Sequence, residues 1–279
     1  MRKWIGLLFA LLLLPSMALA ALPLDFSPAP PADPAAYLSA QEYQDATLHV
    51  KLDAVQQDDS IYHVAYVTIA DPSQLRTALS GEPGSKTKAT PSTIAAAYNA
   101  VLAVNGDSYL FRSKGYIVRQ GQVLRKSASL ALDMLIIDTA GDFHPLRKPT
   151  KESVTNALTT LDVAQCLAFG PVLVMDGQVQ TVYNDYGFSP QDKSPRTAIG
   201  QIGPLQYAFV VVEGRTEASR GVTHKMLAQF MAGLGCQVAF NLDGGGSSTM
   251  LFGGKVVNTL SEGSERDISD ILYFATGVQ

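Results

Sequence analysis

From Thr47 onward, apolar and polar positions alternate: Leu48, Val50 and Leu52 are separated by His49, Lys51 and Asp53. A period of two puts alternate side chains on one face and predicts a half-buried strand. Ile61 to Ile69 is β-rich and is expected to pair with it, before Asp71-Pro72 breaks the pattern. Thr90-Pro91 supplies an N-cap and a proline at the first helical position, predicting a short helix through Asn99. Val101 to Val104 is a short buried strand, and Tyr116 to Leu124 reads as a hairpin with Gln120-Gly121 at its tip. Leu130 to Ile137 is a further apolar strand, ended by Ala140-Gly141-Asp142. Residues 151–160 are expected to be helical, and Val172 to Val174 leads into the hairpin signal Asp176-Gly177.

In the last third, Arg196 to Ile202 and Tyr207 to Val212 read as strands. Thr223 caps a predicted helix with Leu227, Phe230, Met231 and Leu234 on one face, and Gly235 stops it. Val238 to Leu242 is a strand entering a glycine-rich loop, Met250 to Val257 a hairpin around Gly253-Gly254, and Ile268 to Phe274 a closing strand. No repeat with a solenoid or propeller period is visible. Many strands, hairpin turns and about three helices predict an α+β fold with mixed or antiparallel sheets. No long linker divides residues 46–279, which read as a single domain. Residues 21–45 begin with Pro23, Pro28, Pro30, Pro31 and Pro34 and read as an extended strap or linker.

The first twenty residues fall outside this pattern. Arg2 and Lys3 precede an apolar stretch from Ile5 to Leu14, and Ala18-Leu19-Ala20 is a small-x-small cleavage signature. Together they predict a secretory signal peptide, residues 1–20, and a secreted or periplasmic protein with no membrane span once it is removed. The formal charge is −4, and losing Arg2 and Lys3 would take it to about −6. No basic block supplies the cationic footprint a nucleic-acid partner needs, and a polybasic membrane anchor is excluded on the same ground. Apolar residues make up 47% of the 279 positions, which rules out wholesale disorder. Cys166 and Cys236 lie in apolar surroundings; a disulfide between them and two inert thiols are both open readings. Two distant cysteines and four scattered histidines do not make a structural zinc motif.

Several strand ends carry chemistry. Asn241-Leu242-Asp243-Gly244-Gly245-Gly246-Ser247-Ser248-Thr249 places a carboxylate, three glycines and three hydroxyls after an apolar strand. Consecutive glycines suit close backbone approach, or an anion nest of N–H groups. No lysine follows them, so the run is not a Walker A loop, and it is not Gly-x-Ser-x-Gly either. Asn105-Gly106-Asp107 follows another short strand. Arg196, at the start of a strand, reads either as an ordinary surface charge or as a guanidinium fork that matches a phosphate. Glu213-Gly214-Arg215 and Ser219-Arg220-Gly221 end a further strand, and Glu265-Arg266-Asp267 precedes the last.

In these segments, together with Phe169-Gly170-Pro171-Val172-Leu173-Val174, Pro195 to Gly200 and Glu265 to Asp270, the chain resembles the phosphodiester glycosidase domain family. That family includes the lysosomal uncovering enzyme, which removes N-acetylglucosamine from covered mannose 6-phosphate, and many bacterial envelope proteins labelled as exopolysaccharide-related. The matching segments run in family order from about residue 95. Two departures stand out: Asp107-Ser108 where many members have glycine and aromatic residues, and Glu213 where many have aspartate.

The resemblance implies hydrolysis of a sugar-1-phosphodiester at the anomeric C1–O bond, with a small-molecule or glycan phosphodiester as substrate. It implies Asp243 and Asp107 as catalytic carboxylates, Asn105 orienting sugar or water, and Arg196 and Arg215 holding the phosphate. Gly244, Gly245, Gly246, Ser247 and Ser248 would add N–H and hydroxyl donors. No cofactor is required, although a divalent cation, Ca²⁺ or Mg²⁺, on Asp243 and Asp107 is an open alternative. A non-catalytic polysaccharide- or peptidoglycan-binding envelope protein is the competing class, since a fold does not fix a function. A serine hydrolase built on Ser247 is disfavoured, because no histidine lies in the matched segments to act as its base.

Overall fold

The Leu48–Asp53 alternation becomes the strand Leu48–Gln57, paired antiparallel with Ser60–Ile69 from Leu48 opposite Ile69 to Gln57 opposite Ser60. The computed structural model describes residues 24, 25, 27–111, 113–127, 132–182 and 189–277; the expected signal peptide and the start of the Leu130–Ile137 strand lie outside these.

Three sheets form, and every strand pair among the described residues is antiparallel. The largest has nine strands. It runs from the hairpin Tyr37–Ser39 and Glu42–Gln44 through Leu48–Gln57, Ser60–Ile69, Gln206–Val212, Arg196–Gly203 and Val238–Asn241 to the hairpin Val172–Met175 and Gln178–Val179. A second sheet orders Phe143–Leu146, Asp133–Asp138, Val163–Phe169, Tyr116–Arg119 and Gln122–Lys126. A third orders Lys255–Val256, Met250–Phe252, Leu102–Asn105, Asp270–Phe274 and Leu75–Leu79. The fold is α+β, as expected. The strap expected over residues 21–45 is corrected at its C-terminal end, where Tyr37–Ser39 and Glu42–Gln44 join the large sheet; the ring of Tyr43 is buried.

Three α-helices lie among the described residues: α1 (Pro91–Ala97), α2 (Lys151–Thr160) and α3 (His224–Gly233). Each starts on a threonine whose hydroxyl accepts an N–H of the first turn: Thr90 from Thr93, Thr150 from Ser153 and Thr223 from Met226. Such a cap is worth about 1 kcal/mol.

The principal core lies where the sheets face one another, around Tyr43, Tyr207, Phe209, Phe240 and Phe274. Each buried aromatic contributes about 2–3 kcal/mol. On the other face of the large sheet, α3 covers Val64, Val174, Ala198 and Val210 with Leu227, Ala228, Phe230 and Met231. Cys236 belongs to that layer and Cys166 to the one under α2, so the two thiols are buried apart and unpaired. Burial pushes each thiol up to about 12.

Candidate functional site

Antiparallel pairing brings the site together. Arg196 opens its strand opposite Val212, which closes the neighbouring one, and Ala198 lies opposite Asn241, which closes the strand on the other side. One end of the sheet therefore presents Arg196, the turn Glu213–Arg215 and the loop beginning at Asp243. These residues enclose a pocket of about 290 Å³, lined by Arg196, Arg215, Asp243 and the three glycines, with Asp192, Arg266 and Phe169.

Arg196 is held in place from behind: its Nε donates to the Val222 carbonyl at 3.2 Å and one Nη to the Asp192 carbonyl at 2.9 Å. Burial lowers its pKa and the nearby Arg215 charge lowers it further, while Asp192 acts the other way. Arg215 is exposed, on a turn tied down by the Ser219 hydroxyl, which donates to the Glu213 carbonyl at 2.7 Å. Among the described residues neither guanidinium forms an ion pair with a carboxylate. Both are free to receive an anion.

The glycine run does not act as the open nest its sequence suggested. The Gly244 N–H already donates to Asp243 Oδ1 at 3.0 Å, and that of Gly245 to the Pro195 carbonyl at 2.9 Å. The N–H groups of Ser247 and Ser248 turn back onto Gly244 and Gly245. Only the Gly246 N–H lacks an acceptor among the described residues. Close approach explains the glycines instead: a Cβ on Gly246 would collide with the Glu262 carboxylate and the Arg266 guanidinium, and Gly245 has φ +64° beside Arg215. Ser247 and Ser248 are buried and do not line the pocket, which corrects their expected place beside the substrate.

Asn105 and Asp107 also lie beneath the pocket. The Asn105 amide donates to the Asp243 carbonyl at 2.7 Å; its oxygen accepts the Thr197 hydroxyl at 2.8 Å and the Thr249 N–H at 3.2 Å. One buried side chain thus fixes both ends of the glycine loop. The expected place of Asp107 is corrected: it is wholly buried outside the pocket lining, with both oxygens engaged. Oδ1 accepts from Arg119 at 2.6 Å and Oδ2 from the Ala168 N–H at 2.8 Å. Arg119 also reaches Asp270 at 3.0 Å. Burial raises the Asp107 pKa; Arg119 opposes this and Asp270 adds to it. Arg119 already supplies the positive charge at Asp107, and among the described residues no group of three or more side chains is arranged to hold a metal ion.

Arg266 and Asp192 are the site residues that sequence reasoning did not single out. Arg266 pairs with Glu262, four residues earlier. Its signal was present in Glu265-Arg266-Asp267, but a charged loop before a strand gives no reason to choose one side chain. Asp192 lies four residues before Arg196, in a polar stretch without periodicity. Glu213 lies buried behind Arg215, accepting from the Thr259 N–H at 2.6 Å and bonded to His63 Nε2 at 2.8 Å.

The sequence model described as phosphodiester glycosidase matches residues 98–275. The chain is 34% identical over 122 residues to the SPbeta prophage-derived protein YomE of Bacillus subtilis (strain 168), a match covering 44% of this chain and 19% of that relative. The zebrafish N-acetylglucosamine-1-phosphodiester alpha-N-acetylglucosaminidase catalytic domain, auto-inhibited by its pro-peptide, superposes with a TM-score of 0.66 at 20% identity, over 84% of this chain and 85% of that one. A protein from Synechocystis superposes with a TM-score of 0.57 at 15% identity, over 81% of this chain and 62% of that one. At these identities the two structures establish a shared fold.

Proposed function

Because the chain belongs to the phosphodiester glycosidase family, we propose that its arginine-lined pocket hydrolyses a sugar-1-phosphodiester at the anomeric C1–O bond. The observation that carries this reading is the convergence of Arg196, Arg215 and Arg266 with Asp243 in one pocket. Water adds to C1 and the C1–O bond breaks. The bonding pair leaves with the phosphate, giving free sugar and a phosphomonoester.

The residues divide the work by charge. The phosphate leaves already anionic, so guanidinium donors stabilise it without full protonation. Arg196 is the fixed fork, Arg215 the exposed arm and Arg266 the third cation, with the Gly246 N–H beside them. Asp243 faces the oxocarbenium-like centre and takes the proton of the attacking water, and Asp192 is the second carboxylate on the same pocket wall. Asn105 is a positioning residue that holds the Asp243 backbone. N-acetylglucosamine is the proposed sugar. A glycan phosphodiester in the cell envelope is the proposed setting, supported by the leader-like residues 1–20. Among the described residues no helix is long and apolar enough to cross a membrane.

Product analysis after incubation with an N-acetylglucosamine-1-phosphodiester tests the reading. Free N-acetylglucosamine supports it, and sugar 1-phosphate contradicts it.

A further inference from the structure

A second hollow, of about 500 Å³, opens between the face of the large sheet and the hairpin Met250–Val256. Its floor is apolar, made of Leu52, Phe252 and the half-buried ring of Tyr37, which meets Phe252 edge-on at 5.5 Å. Its rim is polar and exposed, with Ser39, Gln41 and Lys255. The volume falls in the range of small-molecule sites, roughly 300–1,000 Å³.

One covalent path and one hydrogen-bonded path join this groove to the arginine-lined pocket. Residues 257–266 begin at Val257 in the groove wall, pass Thr259, whose N–H is bound by Glu213, and reach Arg266 in the pocket. His63 lines the groove and grips Glu213, two residues before Arg215. The His63–Glu213 pair thus stands between the two hollows.

We propose that this groove is an accessory subsite for the neutral saccharide carried on the far side of the substrate's phosphate. The proposal rests on the phosphodiester glycosidase reading of the neighbouring pocket. Lys255 is an isolated cation on the rim and His63 is bonded to Glu213, so the groove offers no cationic cluster for a second phosphate. Aromatic and aliphatic floor groups match the C–H faces of sugar rings, while amide, hydroxyl and ammonium groups on the rim match their hydroxyls. A purely apolar aglycone would leave that polar rim without partners.

The test compares three purified substrates: N-acetylglucosamine-1-phosphate esterified to methanol, to octanol, or to a neutral trisaccharide. The wild-type protein is expected to turn over the trisaccharide ester with kcat/KM about tenfold or more above the methyl ester, mainly through KM. Ala54→Trp fills the groove from a position exposed in the groove lining, two residues after Leu52 on the same strand. It should abolish that preference and leave methyl-ester turnover unchanged. Equal kcat/KM for methyl and trisaccharide esters, a stronger preference for the octyl ester, or a preference that survives Ala54→Trp would each overturn the proposal while leaving the proposed reaction standing. If no ester is hydrolysed, the reaction itself is wrong. The groove is then decided by amide NMR shifts with the trisaccharide ester: shifts at Ala54, Lys255 and Val256 support it, and none at millimolar ligand overturns it.

Discussion

The side-chain amide of Asn105 donates to the backbone carbonyl of Asp243 at 2.7 Å, across a separation of 138 residues. The same side chain accepts from Thr249 at the other end of the glycine loop. Its removal would release both ends of the loop and strand buried polar groups, costing about 1–3 kcal/mol for each unsatisfied group. Asn105→Ala is therefore expected to lower the denaturation midpoint and to cut kcat by tenfold or more. Its KM should change little, because the arginines keep their own supports. Urea unfolding and steady-state kinetics check both halves. A KM effect alone would make Asn105 a substrate ligand.

Asp107 and Asp243 offer a direct contrast. Asp107→Asn keeps an acceptor for Arg119 and leaves Asp270 to balance its charge, so turnover should stay within a few-fold of wild type. Asp243→Asn removes the charge proposed to act in the transition state, and a loss of about 100-fold or more is expected. Kinetics of the two variants side by side decide the assignment.

The buried triad also has a pH signature. The Asp107 pKa is raised in the folded state. A carboxyl of that kind stabilises the fold most below its unfolded pKa, and the contribution declines as pH rises from about 4 toward the higher folded value. Asp45 acts oppositely. Burial pushes it up, but hydrogen bonds from Thr276, Tyr43, Thr47 and Leu48 outweigh this and hold it at about 2. Its contribution is present above about pH 4 and is lost as pH falls through 2. Asp107→Asn should flatten the first dependence and Asp45→Asn the second, both read from unfolding midpoints across pH 2 to 7.

Gly246→Ala places a methyl where Glu262 and Arg266 already sit. Displacing Arg266 should raise KM for a phosphodiester several-fold. Adding Glu262→Ala, which makes room and frees Arg266, should recover part of the loss. Kinetics of the single and double variants measure the coupling.

Arg196→Lys keeps the charge but not the planar fork that donates simultaneously to the Val222 and Asp192 carbonyls. It should impair turnover less than Arg196→Ala. The larger losses should appear with the more highly charged leaving phosphates.

The strands and helices were legible wherever periodicity and capping agreed, as in Leu48–Gln57 and the Thr223 cap of α3. The hairpin Tyr37–Gln44 was hidden behind the prolines that precede it, and Val163–Phe169, buried along nearly its whole length, shows no alternation. In the site, the strand-end positions of Arg196, Arg215 and Asp243 could be read from the sequence. The burial of Asp107 could not, because its partner Arg119 lies on another strand with nothing local to mark the pair. For the same reason the glycines were read as donors: the groups they make room for, on Glu262 and Arg266, arrive from a different loop.

The central claim is cleavage at C1–O with the phosphate as leaving group. Hydrolysis of an N-acetylglucosamine-1-phosphodiester in ¹⁸O-labelled water, followed by mass spectrometry of both products, tests it most directly. The account predicts one ¹⁸O in the released sugar, none in the phosphomonoester, and no reaction above background for Asp243→Asn. Label in either phosphate product, the phosphomonoester or a sugar 1-phosphate, would contradict it.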